Sequence, residues 1–247
     1  MLPAVFPLPP GIAWVRGAEP PTAAELMRRM DELWRGDASH ARMTMQVRTR
    51  NYTRSMTLES WSRGKEHSLI RILSPKKDEG IATLKVSDNI WNYLPNINRV
   101  TKVPASMMGG AWMGSHFTND DLVRESSFES DYTSTVTFSG EREGVRVYEI
   151  TSRPRPDAAV VWGKLVTVLT QEGLLPVRTE YFDESEVKVR VMTFSNPVKF
   201  SGRLVPSRME LRPLDKPEEF TAIDYEALEF NPALPENLFS LQRLQGR

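Results

Sequence analysis

The residues able to do chemistry are few and scattered. The three histidines, His40, His67 and His116, lie far apart in sequence and lack the spacing of a metal-ligand or catalytic set. With no cysteine in the chain, thiolate catalysis, disulfides and Cys zinc sites are excluded. Asp120, Asp121, Glu125, Glu129 and Asp131 form an acidic cluster. They fall where helix starts and turns want carboxylates, so they read as solvated caps and not as a glycosidase pair. Gly109-Gly110 lacks the Lys and Ser/Thr of a phosphate cradle, and no nucleophile-elbow, zincin or dinucleotide fingerprint occurs. The pattern predicts no enzyme, no metal and no cofactor.

The positive signal is apolar. Of the eleven methionines, six gather in two places: Met43, Met45 and Met56 on strands, and three in the run Met107-Met108-Gly109-Gly110-Ala111-Trp112-Met113-Gly114. That run has too much glycine for a helix and no strand alternation. It reads as a mobile loop whose adaptable side chains repack around apolar guests. Ahead of it stands a hairpin: Ile90 to Leu94, the turn Pro95 to Asn98, and a return strand from Arg99 to Val103. Behind it, Thr118 or Asn119 caps a helical turn.

The ordered combination of Trp91, Tyr93, Leu94, Pro95, Arg99, Met107, Met108, Gly114, Ser115, Phe117, Thr118, Asp121 and Leu122 resembles the outer-membrane lipoprotein-sorting (LolA-like) proteins of Gram-negative bacteria, in a less characterised branch. The resemblance spans about residues 22–241. It implies an unclosed β-barrel with helices as a lid, in the periplasm, carrying lipid or lipoprotein acyl chains from an inner-membrane donor to an outer-membrane acceptor. It also implies an arginine that holds the lid shut. Arg42, Arg48 and Arg54 are candidates by position alone.

The elements that must position such a site follow from periodicity. Thr22 and Glu25 have capping-box spacing and open a helix with Leu26, Met27, Met30, Leu33 and Trp34 on one face and Arg28, Arg29, Asp31 and Glu32 turned away. Gly36 ends it. From Ala38 the period becomes two, and about a dozen short strands follow, joined by tight turns. No helix lies between strands, which excludes a doubly wound parallel sheet. So long a meander curls, giving a mainly β protein built on a strongly curved antiparallel sheet. With the resemblance, this becomes an incomplete β-barrel (LolA/LolB-like) with an N-terminal helix and short helices or loop as lid.

At 247 residues, with zero net charge, the chain shows no global basic field, and nucleic acid is not expected as a partner. No stretch has the length of a transmembrane helix. Residues 1–21 read as a degenerate or truncated export signal, or as a Pro-rich leader without structural meaning. Residues 22–247 read as one domain. The residues expected to line a hydrophobic cavity and its flap are Met43, Met45, Met56, Leu58, Trp91, Tyr93, Met107, Met108, Trp112, Met113 and Phe117. Their assignment rests on strand parity, where a slip of one residue exchanges inside for outside. A second reading with the same fold is a protein-binding regulatory module beside a membrane complex such as an exporter. A lipid or glycan hydrolase has no supporting constellation.

Overall fold

The computed structural model describes residues 20–124, 131–156, 158 and 160–246. The segment read as an export signal or leader therefore lies outside the described residues, apart from its last two positions.

Helix α1 (Ala23–Glu32) starts on the expected capping box, with Thr22 accepting from the Glu25 amide and the Glu25 carboxylate accepting from the Thr22 amide. Leu26, Met27 and Met30 are buried. Asp31 is a correction: it is buried and lines the interior. It stands four residues after Met27, so it belongs to the helix face that packs inward.

Among the described residues thirteen strands follow: β1 (Ala38–Arg48), β2 (Thr53–Arg63), β3 (His67–Ser74), β4 (Ala82–Val86), β5 (Asn89–Leu94), β6 (Arg99–Lys102), β7 (Tyr132–Arg142), β8 (Val145–Pro154), β9 (Lys164–Thr170), β10 (Pro176–Phe182), β11 (Lys188–Phe200), β12 (Arg203–Pro213) and β13 (Phe220–Phe230). All join one antiparallel sheet in the order β6-β5-β4-β3-β2-β1-β13-β12-β11-β10-β9-β8-β7. The first and last strands pair at its centre, and β6 and β7 are its two free edges. Register shifts at Arg42/Met43, Thr57/Leu58, Val136/Phe138 and Tyr181/Phe182 bend individual strands. The sheet curves without closing, because the chain jumps from edge β6 to edge β7 instead of pairing them. That jump, residues 103–131, contains the Met/Gly run and helix α2 (Asn119–Arg124).

The sheet buries both of its faces in part. The inner core joins α1, Trp112 and Phe117 to strand residues across the sheet. The register sets Met56, Met45, Ile223, Met209 and Phe194 side by side on β2, β1, β13, β12 and β11, a row rich in polarisable side chains. A second, smaller cluster holds Leu69, Ala82, Leu84 and Tyr93 beneath Leu244, with Trp61, Trp91 and Phe239 against it. Here the C-terminal segment, ending in helix α3 (Leu241–Leu244), covers the other face of β3–β5. Arg63 fastens it through the Leu234 and Pro235 carbonyls, and Arg71 through the carbonyl of Arg243.

Candidate functional site

Residues 107–121 of the crossover between the sheet edges are a tied structure and not the mobile loop their composition suggests. Ala111 and Thr118 form a bridge, and the Trp112 amide donates to the Phe117 carbonyl. Ser115 Oγ donates to the Trp112 carbonyl. Asn119 Nδ2 donates to the carbonyls of Met107 and Gly110. Thr118 caps α2, its hydroxyl accepting from the Asp121 amide while the Asp121 carboxylate accepts from the Thr118 amide. The glycines permit this folding. Gly114 has φ +68°, and a Cβ there would lie 3.3 Å from the Tyr52 hydroxyl. Gly114→Ala is therefore expected to destabilise the protein by about 1–2 kcal/mol, through left-handed strain and crowding of Tyr52. Urea denaturation with an unchanged midpoint would contradict this.

Side chains from distant strands hold the crossover down. Tyr52 Oη donates to the Gly114 carbonyl at 2.8 Å, and Arg54 to the Met113 carbonyl at 3.1 Å. The His116 amide donates to Thr221 Oγ1, and its ring bonds Thr221 and Glu219. Bonds from the Arg50 amide and from His116 hold the Glu219 carboxyl below the usual carboxylate range. His116 is thus a tethered residue and not an exposed loop histidine. The strongest tie is Arg190 on β11. It is buried and makes two hydrogen bonds to Asp121, at 2.9 and 2.5 Å, and a third to the His116 carbonyl. Its guanidinium also packs over Trp162 and Tyr181, 3.9 and 4.1 Å from the ring centroids.

This overturns the reading of Asp120 and Asp121 as solvated caps. Asp120 is buried, and Asp121 is the carboxylate that ties α2 to the sheet. Glu125 and Glu129 lie outside the described residues. Of the lid-arginine candidates, Arg54 reaches the crossover, Arg42 pairs with Glu226 at the surface, and Arg48 is exposed. Arg190 was missed, although β11 carries the signal: it shares strand parity with the apolar Met192 and Phe194. A cation on a greasy face needs a buried partner.

Beneath the crossover lies a partly open cavity of about 200 Å³. Met43, Leu58, Trp112 and Phe117 of the expected set line it, joined by Met192, Phe194, Met209 and Ile223 from the second half of the sheet. Met45 and Met56 are fully buried in the same core, below the cavity wall. Met113 packs against that core, Met108 is half-buried and Met107 is exposed. Trp91 and Tyr93 are corrected: they belong to the second cluster, while Ile90 is the β5 side chain on the cavity. The largest aromatics of the hairpin pointed to the wrong face because the C-terminal segment gives that face a hydrophobic cover of its own. Trp112 closes the cavity at one point, its Nε1–H donating to Thr83 Oγ1 at 3.0 Å, with Thr83 donating on to Asn92.

A family model described as an uncharacterized protein matches residues 64–246. The chain belongs to that family. No curated protein matches the sequence. Among solved structures, a DUF1329 family protein from Desulfovibrio piger superposes with a TM-score of 0.83 at 21% identity, covering 90% of this chain and 98% of that one. A putative outer membrane lipoprotein-sorting protein domain from Vibrio parahaemolyticus gives 0.78 at 23% identity, with 90% and 98% covered. A LolA superfamily protein from Nitrosomonas europaea gives 0.76 at 19% identity, with 91% and 100% covered. The fold is LolA-like: an unclosed, curved antiparallel sheet with few helices. Among the described residues of this LolA-like chain, no helix is long and apolar enough to cross a membrane.

Proposed function

We propose that this protein is a non-enzymatic periplasmic carrier that shelters the acyl chains of a lipid or lipoprotein in the cavity beneath the crossover, during lipoprotein sorting to the outer membrane. The observation that carries the reading is the cavity itself, lined by methionine and aromatic side chains and capped by Trp112. Acyl burial gives about 0.8 kcal/mol per CH₂, so a long chain supplies affinity with no catalytic group. The likeness to a lipoprotein-sorting domain and a LolA superfamily protein supports it at the level of fold. An inner-membrane donor and an outer-membrane acceptor are the partners such a carrier requires.

The volume of about 200 Å³ falls short of the roughly 300–1,000 Å³ of typical ligand pockets. Cargo must therefore lift the crossover, and Trp112 must move. Tryptophan fluorescence should change on titration with a fatty acid or lipopeptide. Trp34, Trp61 and Trp162 line the cavity beside Trp112, so Trp112→Phe should remove only part of the change, whereas Trp91→Phe on the other face should keep all of it. A folded sample whose spectrum no amphiphile alters would count against the carrier. Native mass spectrometry of protein purified from a bacterial periplasm should show retained lipid.

A further inference from the structure

The cavity wall is not uniformly apolar, and its polarity changes along the strands. At the start of β1, the register sets Ser39, Ser62, Ser68 and Lys85 in one cross-strand row. The next row is Ala41, Ser60, Ile70 and Thr83, and the one after it Met43, Leu58 and Ile72. Met45 and Met56 follow. Met43 is the last β1 side chain on the cavity, four residues of strand from Ser39, about 13 Å at 3.3 Å per residue. Along that length the wall passes from hydroxyls and an amine to hydrocarbon and thioether, with Met45 and Met56 buried beyond it.

The polar end is partly committed. Ser39 and Ser62 bond each other at 2.7 Å, Thr83 is taken by Trp112 and Asn92, and Lys85 Nζ donates to the Lys65 carbonyl. Lys65, Asp31 and Asp120 also line the cavity. Ser60 and Ser68 line the cavity too, and among the described residues neither hydroxyl has a hydrogen-bond partner. They share strand parity with Leu58 and Ile70, so both project into the cavity. A wall made for hydrocarbon alone has no use for two open hydroxyls there.

We infer that the cavity binds its amphiphile in one orientation, with an acyl oxygen accepting hydrogen bonds from Ser60 and Ser68 beside Lys85, and the tail running toward Met192 and Met209. This rests on the carrier reading and adds to it the class of head group and its direction. The chemistry recognised is an acyl C=O, which either a free fatty acid or an esterified chain supplies.

The test is displacement of an apolar fluorescent dye by dodecanoic acid, methyl dodecanoate and dodecane, in the wild-type protein and in Ser60→Ala/Ser68→Ala. The variant is expected to lose about ten-fold in affinity for the acyl ligands, as two hydrogen bonds would give, with dodecane unchanged. Loss with the acid alone assigns a carboxylate, and loss with the ester as well assigns an esterified chain; both support the inference. Unchanged acyl affinities in a variant that still binds dye overturn it and leave the carrier standing. If folded wild-type protein binds neither dye nor ligand, the carrier reading falls and this inference goes with it. A fatty acid with a photoreactive tail gives a check without mutation. It should label peptides from residues 188–211, and labelling confined to residues 60–85 would reverse the orientation and overturn the proposal.

Discussion

Arg190→Ala is expected to lower stability by about 3–5 kcal/mol, the loss typical of breaking one side of a buried ion pair. The side chains of Arg190 and Asp121 are 6% and 12% exposed, so truncating the arginine leaves the Asp121 carboxylate in a nearly dry site. The same change removes the guanidinium from over the Trp162 and Tyr181 rings and its bond to the His116 carbonyl. Because the latch joins β11 to the crossover, its loss should be felt unevenly. Amides of residues 108–121 should exchange with solvent faster, while those of β1 and β13 at the sheet centre keep their protection. Arg190→Met with Asp121→Asn should be less destabilising than the sum of the single changes, since no charge is then stranded. Urea denaturation and hydrogen exchange decide the matter. A loss under 1 kcal/mol with an unchanged exchange pattern would show that the pair does not hold the crossover.

Trp112→Ala should act on stability and on binding in opposite directions. Trp112 is 3% exposed, and truncating a buried aromatic costs about 3–5 kcal/mol through lost transfer energy and the space left behind. That space adjoins a cavity already present. The variant should accordingly accept an amphiphile without having to move the plug, and bind it more tightly than the wild type. At a ligand concentration one hundred times Kd, linkage returns about 2.7 kcal/mol. Dodecanoic acid should therefore restore much of the stability that Trp112→Ala loses, and stabilise the variant more than the wild type. Denaturation curves with and without ligand measure this. Equal ligand stabilisation in both proteins would mean that Trp112 is core packing and not a plug.

The two predictions draw on parts of the chain that were unequally legible. Trp112 and Phe117 announced themselves, because apolar side chains in a glycine-rich run have no place in a solvated loop. The latch was hidden, because Arg190 and Asp121 lie on separate elements and nothing local links them. Its trace was the cation at an inward position of β11, visible once the alternation of Arg190, Met192 and Phe194 is followed. The polar wall was similarly present as Ser60 and Ser62 in the parity of Leu58, yet they have no meaning until the register places Ser68 and Lys85 beside them.

The elements are legible in local sequence: a capped amphipathic helix, a run of antiparallel strands too long to stay flat, and a crossover rich in methionine and glycine. These are short-range properties, set by spacing, turn residues and backbone freedom within a few positions. Long-range packing sets the rest: β1 pairs with β13, β6 and β7 stay apart, and Trp91 and Tyr93 pack under the C-terminal segment while Ile90 faces the cavity. An alternating strand offers two faces, and which one becomes interior depends on what distant chain arrives to cover each.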